Sequence, residues 1–203
     1  MLVMPQLIKP TKIHAGCVAE YENIWTNCAE LIDVIEQEAN DPDSGVVFNK
    51  AATQGGGEFD KRRTNKHLGL SKTAEVNEPL REINNKFYFT LASVIPTYRE
   101  MFGLEEELYM TEGFNLLRYQ TGQEYKAHFD GGTATRRSVS PILYLNDDYA
   151  GGELEFVNHN LKIKPKAGSL FLFPSSYPYR HIAHPVVDGT KYAIVTWLHD
   201  RLN

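Results

Sequence analysis

The two halves of this 203-residue sequence carry different hydrophobic patterns. In the first half, apolar residues recur with helical spacing over residues 18–40 and 74–102. From residue 108 onwards, short runs of β-branched and aromatic residues alternate with turn signals such as Gly151-Gly152 and Asp188-Gly189. Seven or eight short strands at this spacing are typical of a β-sandwich or jelly roll. We therefore predict an α+β fold in which the helices pack on one face of the β-structure.

The element bounds follow from these patterns. Asp41-Pro42-Asp43 is predicted to end the first helix. Pro79 suits the first turn of the second helix, whereas Pro96 is predicted to kink or break it. The predicted strands cover residues 114–119, 139–145, 154–156, 161–163, 169–173, 181–184 and 191–198.

We expect one compact unit with two parts. Residues 1–107 form a helical support region, and residues 108–203 form the β-domain. A loop at about residues 50–72 contains Gly55-Gly56-Gly57 and the basic run Lys61-Arg62-Arg63. Long loops without secondary structure are often lids over a site, which is our interpretation, with a solvated loop as the alternative.

Composition and hydropathy argue against several classes of protein. The net charge of −5 argues against a dedicated nucleic-acid-binding protein, because gripping phosphates favours a basic chain. No apolar run approaches the length of a membrane span, and the first residues lack the apolar stretch of a signal peptide. Cys17 and Cys28 are expected to be reduced thiols. We therefore expect a cytoplasmic protein with no membrane or nucleic-acid partner.

A candidate metal site is formed by His128-Phe129-Asp130 and a later histidine. Alternate residues of an extended segment point the same way, so His128 and Asp130 can face one ion. Two imidazoles and one carboxylate on one face of a metal are the ligands of non-haem Fe(II) oxygenases. His181 and His184 compete for the third position. They lie three residues apart and face opposite sides of a strand, so at most one points into a barrel.

The last predicted strand has an unusual face. Counting in twos, Lys191, Ala193, Val195 and Trp197 share one side. A lysine beside small apolar residues is consistent with a barrel interior that holds an anion. The alternative is a lysine whose stem lies along apolar surface at the end of a strand.

Further short segments occur in a definite order along the second half: Leu117-Arg118-Tyr119, Gly122-Gln123-Glu124-Tyr125, Tyr144-Leu145-Asn146-Asp147, Gly151-Gly152-Glu153, Pro165-Lys166-Ala167-Gly168 and Trp197-Leu198-His199-Asp200-Arg201. Together with His128-Phe129-Asp130, Arg137, His181 and Lys191, they resemble the catalytic domain of prolyl 4-hydroxylases. These enzymes belong to the 2-oxoglutarate and Fe(II)-dependent dioxygenase superfamily. The resemblance implies a double-stranded β-helix (jelly-roll) core with N-terminal supporting helices.

The resemblance also implies roles for individual residues. The metal ligands would be His128, Asp130 and His181, because the family's cosubstrate lysine follows its second ligand histidine by ten residues. That lysine is Lys191, which would bind the distal carboxylate of 2-oxoglutarate and complete the catalytic set.

Five further positions follow from the same match. Tyr119 and Tyr144 would hydrogen-bond the cosubstrate, and Tyr125, Arg137 and Trp197 would bind the substrate.

The activity implied is hydroxylation of prolyl residues in a peptide or protein, with O2, Fe(II), 2-oxoglutarate and ascorbate as reductant. Succinate and CO2 would be released. Ser140 and Leu154 stand where the family often has threonine, which leaves the substrate open. One alternative is the same chemistry on a free amino acid, a lysyl residue or another small metabolite. The other is a non-catalytic jelly-roll module that binds a metal or ligand.

Overall fold

Three α-helices lie in the described chain, which in this computed structural model comprises residues 6–52, 61–132 and 135–200. They are α1 (Cys28–Asn40), α2 (Leu70–Thr73) and α3 (Glu78–Phe102). α3 begins after Asn77, whose side chain accepts a hydrogen bond from the N–H of Leu80. α3 continues through Pro96, so the break that was one of the two predicted outcomes does not occur. Pro96 lies on the exposed side, where water can solvate the carbonyl group that the missing N–H leaves unpaired. None of these helices is both long and apolar enough to cross a membrane.

The first helix is shorter than predicted. It starts at Cys28, and the preceding residues Ala19–Tyr21 form a strand instead. This strand is buried at all three positions and pairs with Leu170, Phe171 and Leu172. A pairing partner some 150 residues away in sequence leaves no local signal, and tertiary pairing overrides the local helical pattern here.

The strands of the described chain are β1 (Lys12–Ile13), β2 (Ala19–Tyr21), β3 (Asn49–Lys50), β4 (Lys66–Gly69), β5 (Asn115–Gln120), β6 (Tyr125–His128), β7 (Arg137–Tyr144), β8 (Ala150–Gly151), β9 (Leu154–Phe156), β10 (Leu161–Ile163), β11 (Leu170–Pro174), β12 (His181–Ala183), β13 (Val186–Asp188), β14 (Thr190–Val195) and β15 (Leu198–His199). The main sheet has the order β1-β2-β11-β7-β14-β5-β4-β3, with β15 also paired to β7. A second sheet has the order β10-β9-β12-β6, and β13 pairs with β8. All of these pairs are antiparallel.

The two larger sheets face one another, and the helices cover the outside of the main sheet. Phe156 of β9 and Phe173 of β11 pack edge to face between the sheets, with ring centroids 4.8 Å apart. On the other side of the main sheet, Phe87 and Leu91 of α3 join one core with Ile194 of β14. This arrangement confirms the predicted α+β jelly roll.

The segment at residues 50–72 is only partly a loop. β4 pairs with β5 at the edge of the main sheet, and α2 follows it directly. Gly55-Gly56-Gly57 lies outside the described residues, so the lid remains a prediction. Because β4 lies beside β5, β4 forms part of the wall of the barrel.

Candidate active site

Three side chains with metal-ligand chemistry converge between the two sheets. His128 ends β6 and His181 begins β12, and the register of these paired strands places the two residues opposite each other. Asp130 follows two residues after His128, and ligand atoms of all three lie within 4.8 Å of one another. Nε2 of His128 is 3.6 Å from Oδ1 of Asp130, and Nε2 of His181 is 3.7 Å from Oδ2.

Backbone carbonyl groups orient both imidazoles. Nδ1 of His128 lies 2.7 Å from the carbonyl oxygen of Lys126, and Nδ1 of His181 lies 3.0 Å from that of Tyr179. Each Nδ1 therefore carries the proton and donates it, which leaves the Nε2 lone pair facing the cluster. Burial and the neighbouring His181 lower the pKa of His128 to about 3, so its ring is neutral.

Asp130 is held as a carboxylate. Burial alone would raise its pKa, but His181, His128 and the hydroxyl group of Ser140 outweigh burial, and the pKa is lowered. Two imidazoles and one carboxylate, close together and with their metal-binding atoms turned inward, fit a non-haem Fe(II) ion. His184, the other candidate for the third ligand position, is not part of this cluster. Its Nε2 lies 2.6 Å from Oε2 of Glu155 instead.

Lys191 is a buried cation with one hydrogen bond, which it donates to the carbonyl oxygen of Gly152 at 3.0 Å. Its side chain is 2% exposed, and Nζ lies 4.5 Å from the centroid of the Tyr119 ring. Within the described ranges Lys191 forms no ion pair. Burial and the nearby Lys164 lower its pKa to about 7. A carboxylate bound beside Lys191 would supply the missing counter-charge.

Lys191 and the metal cluster line the same cavity, which we call the inner cavity. Tyr119 and Tyr144 also line it. Burial raises the pKa of Tyr119 to about 12 and raises that of Tyr144 well above its ordinary value. Both hydroxyl groups therefore keep their protons and can donate hydrogen bonds to an anionic ligand.

A second space, the outer cavity, adjoins the first and is lined mainly by Arg63, His67, Glu112, Asn115, Arg137 and Trp197. Four residues border both cavities: Arg63, Tyr125, Asp130 and Trp197. The guanidinium group of Arg137 lies 3.6 Å from the centroid of the Trp197 ring, and Tyr125 stacks on His128 with centroids 3.4 Å apart. The three residues predicted to bind substrate therefore lie together beside the metal cluster.

Sequence reasoning missed several residues of the outer cavity. Glu112 accepts hydrogen bonds from Nε and Nη2 of Arg137, at 2.6 and 2.5 Å. His199 is 8% exposed, and its Nε2 lies 2.8 Å from Oε1 of Glu112. His67 lies on β4 and also borders this cavity. A strand prediction for residues 66–69 would have placed His67 on the same face as Leu117, its cross-strand partner.

Comparison with known proteins identifies the second half of the chain. Residues 114–199 match the model of the 2OG-Fe(II) oxygenase superfamily. Probable prolyl 4-hydroxylase 9 of Arabidopsis thaliana is 33% identical over 119 residues, which are 44% of this chain and 41% of that protein. Residues 114–199 are thus similar to the 2-oxoglutarate/Fe(II) oxygenase domain of prolyl hydroxylases. Prolyl 4-hydroxylase 13 of the same plant is 27% identical over 167 residues, 66% of this chain and 60% of that protein.

A solved structure extends the likeness of this oxygenase domain to the fold of the whole chain. The prolyl hydroxylase of Trichoplax adhaerens, in complex with a hypoxia inducible factor oxygen degradation domain peptide fragment, superposes with a TM-score of 0.72. It is 21% identical, and the match covers 92% of this chain and 84% of that chain. Because residues 114–199 are less than half of this chain, the shared fold extends into its N-terminal half. The chain spans only about two to three fifths of the length of the two Arabidopsis relatives.

Proposed function

We propose that this protein is an Fe(II)- and 2-oxoglutarate-dependent dioxygenase that hydroxylates prolyl residues of a peptide or protein. In this reaction O2 and 2-oxoglutarate are consumed. One oxygen atom enters the substrate C–H bond, the other enters succinate, and CO2 is released. Ascorbate would serve as the reductant that keeps the iron in its ferrous form.

The observation that carries this proposal is the single cavity that joins the metal cluster to Lys191. 2-Oxoglutarate is a dianion with a chelating end and a distal carboxylate. His128, Asp130 and His181 would hold Fe(II), which when bound supplies the activation of O2. Lys191 would pair with the distal carboxylate in a dry site, where the attraction is stronger than in water.

The remaining inner residues would position the cosubstrate. The protonated hydroxyl group of Tyr119 lies on the wall beside Lys191 and can donate to a carboxylate oxygen. Tyr144 can do the same from β7. Leu117, Ala193 and Val195 supply apolar walls that exclude water.

A peptide substrate is supported by the relatives and by the outer cavity. The two plant relatives are named prolyl 4-hydroxylases, and the Trichoplax enzyme was solved with a peptide fragment bound. In this chain the outer cavity opens beside Asp130 and offers Tyr125, Arg137 and Trp197 as contacts. The ion pair with Glu112 fixes Arg137 over Trp197, so the wall is preorganised.

The test measures succinate and hydroxyproline with Fe(II), 2-oxoglutarate, ascorbate and a set of proline-containing peptides. We expect succinate formation to depend on peptide and mass spectrometry to find +16 Da on proline. His128→Ala and Asp130→Ala should abolish turnover. Lys191→Ala should chiefly raise the 2-oxoglutarate concentration that is needed.

Other outcomes identify the alternatives. Succinate without peptide hydroxylation, but with a modified amino acid or other small molecule, would show the same chemistry on a small substrate. Calorimetric binding of 2-oxoglutarate and metal without any succinate would show a non-catalytic module. Either result would overturn prolyl hydroxylation.

A further inference from the structure

The outer cavity contains two arginines whose charges are balanced differently. Arg137 forms a bidentate ion pair with Glu112, so the positive charge of Arg137 is offset within the protein. Arg63 donates instead to neutral oxygen atoms, to Oδ1 of Asn65 at 3.0 Å and to the carbonyl group of Ala52 at 3.2 Å. Neither acceptor is a carboxylate, and no ion pair of Arg63 occurs among the residues that the structure describes. Among the residues that the structure describes, no carboxylate therefore offsets the charge that Arg63 brings to this cavity.

The position of Arg63 is fixed relative to the metal cluster. Its guanidinium carbon lies 4.8 Å from the centroid of the Tyr125 ring, and that ring stacks on His128. Arg63 also forms a β-bridge with Tyr125, so the backbone carries the same constraint. A single aromatic ring thus separates the cation from a metal ligand, a spacing that one or two residues of an extended peptide can span.

The other polar side chains that the structure describes on the wall of this cavity do not compete for the charge of Arg63. His67 lines the same cavity, and burial, followed by the charge of Arg63, lowers its pKa, so the imidazole is neutral. Nδ1 of His67 is buried and has no hydrogen-bond partner in the described chain. Of the two carboxylates on the wall, Glu112 is paired with Arg137, and Asp130 belongs to the metal cluster.

From this geometry we propose that Arg63 binds the carboxylate of an aspartate or glutamate that lies within two residues of the target proline. The substrate class is then an acidic, proline-containing peptide; this inference rests on the proposed function. Asn115 and the neutral His67 line the space around that carboxylate with uncharged hydrogen-bonding groups.

The test compares matched peptides in which one Asp or Glu near the proline is replaced by Asn or Gln. For the wild-type protein we expect the amide peptide to have a KM about tenfold higher with kcat little changed, as loss of one charge-assisted hydrogen bond predicts. Arg63→Gln should remove this difference, and Arg63→Glu should favour a peptide with Lys at that position. Lys61→Gln is the control. It removes one positive charge two residues before Arg63, and the side chain of Lys61 does not line the cavity.

Three results would overturn the inference while the proposed function stands. They are equal KM values for both peptides in the wild type, an unchanged preference in Arg63→Gln, and an equal loss in Lys61→Gln. A separate binding measurement, with a fluorescent acidic peptide under anaerobic conditions with Fe(II) and 2-oxoglutarate, tests the contact without turnover. Binding that depends on Arg63, with no hydroxyproline formed afterwards in air, would refute the proposed function but support the acidic-peptide site.

Discussion

Ser140 donates a hydrogen bond of 2.7 Å to Oδ2 of Asp130. Ser140 is almost fully buried on β7, and its oxygen also lies 2.7 Å from the hydroxyl oxygen of Ser175. Asp130 itself follows the end of β6 and lies in no strand, so its carboxylate needs an outside contact to keep its direction. The bond therefore ties a metal-ligand candidate to the main sheet.

Ser140→Ala should weaken metal binding. The hydroxyl group helps to lower the pKa of Asp130, so its removal raises that pKa and frees the carboxylate to rotate. We expect a loss of about tenfold in metal affinity, at the low end for such supporting contacts. Calorimetric titration with Co(II) at pH 7 measures it. Ser140→Thr keeps the hydroxyl group and should bind as the wild type does, whereas equal affinity of Ser140→Ala and wild type would contradict the prediction.

Tyr125→Leu should loosen His128. The two rings are stacked with an interplanar angle of 16°, and this contact covers one face of the imidazole. Leucine cannot stack in this way, so we expect a several-fold lower Co(II) affinity and a weaker visible absorption band per protein. Tyr125→Phe retains the ring and serves as the control. A Tyr125→Leu protein with the absorption of the wild type would show that stacking does not position His128.

Local patterns predict the inner cavity well, for a physical reason. The two-residue period of a strand places Lys191, Ala193 and Val195 on one face, and the structure has all three on the cavity wall. The strands Leu154–Phe156 and Leu161–Ile163 have the predicted bounds, because turn signals flank both.

The outer cavity depends on contacts that no local pattern reports. Glu112 contacts His199, which lies 87 residues away in sequence, and Arg137 of β7 donates a hydrogen bond to the same carboxylate. Pairing of β4 with β5 brings in His67, although residues 66–69 have no alternating pattern of apolar and polar residues. These neighbours become visible only when strand order and register are known.

Binding of 2-oxoglutarate should weaken as the pH rises above 7. The pKa of Lys191 lies at about 7 rather than 10.5, so the ligand-free protein loses the ammonium charge as pH passes through this value. Above this pKa, the affinity for 2-oxoglutarate falls by up to about tenfold for each unit of pH, because Lys191 must take up a proton when the ligand binds. Calorimetric Kd values from pH 7 to pH 9, with Mn(II) present, measure this slope.

Lys164→Met should shift that slope to higher pH. The Lys164 ammonium is a like charge that helps to lower the pKa of Lys191, and its removal raises that pKa. Lys162→Met is the matched control, since Lys162 is an exposed lysine on the same stretch that pairs with Glu155. Superimposable pH profiles for Lys164→Met, Lys162→Met and wild type would show that Lys164 does not act on Lys191.

Gly168→Ala should destabilise the fold far more than Gly45→Ala. Both glycines have positive φ values, +73° and +72°, so both substitutions carry the strain of a left-handed backbone, about 1 kcal/mol. A Cβ atom at Gly168 would also lie 1.9 Å from the carbonyl oxygen of Trp25, whereas nothing lies within 4 Å of one at Gly45. The backbone at Gly168 cannot move away from Trp25 without loss of a hydrogen bond, because its carbonyl group accepts one of 2.9 Å from the N–H of Ile24. We expect a loss of more than about 3 kcal/mol in the free energy of unfolding for Gly168→Ala, measured by urea denaturation. Equal losses for the two variants would show that the approach of the Trp25 backbone is not what requires glycine before β11.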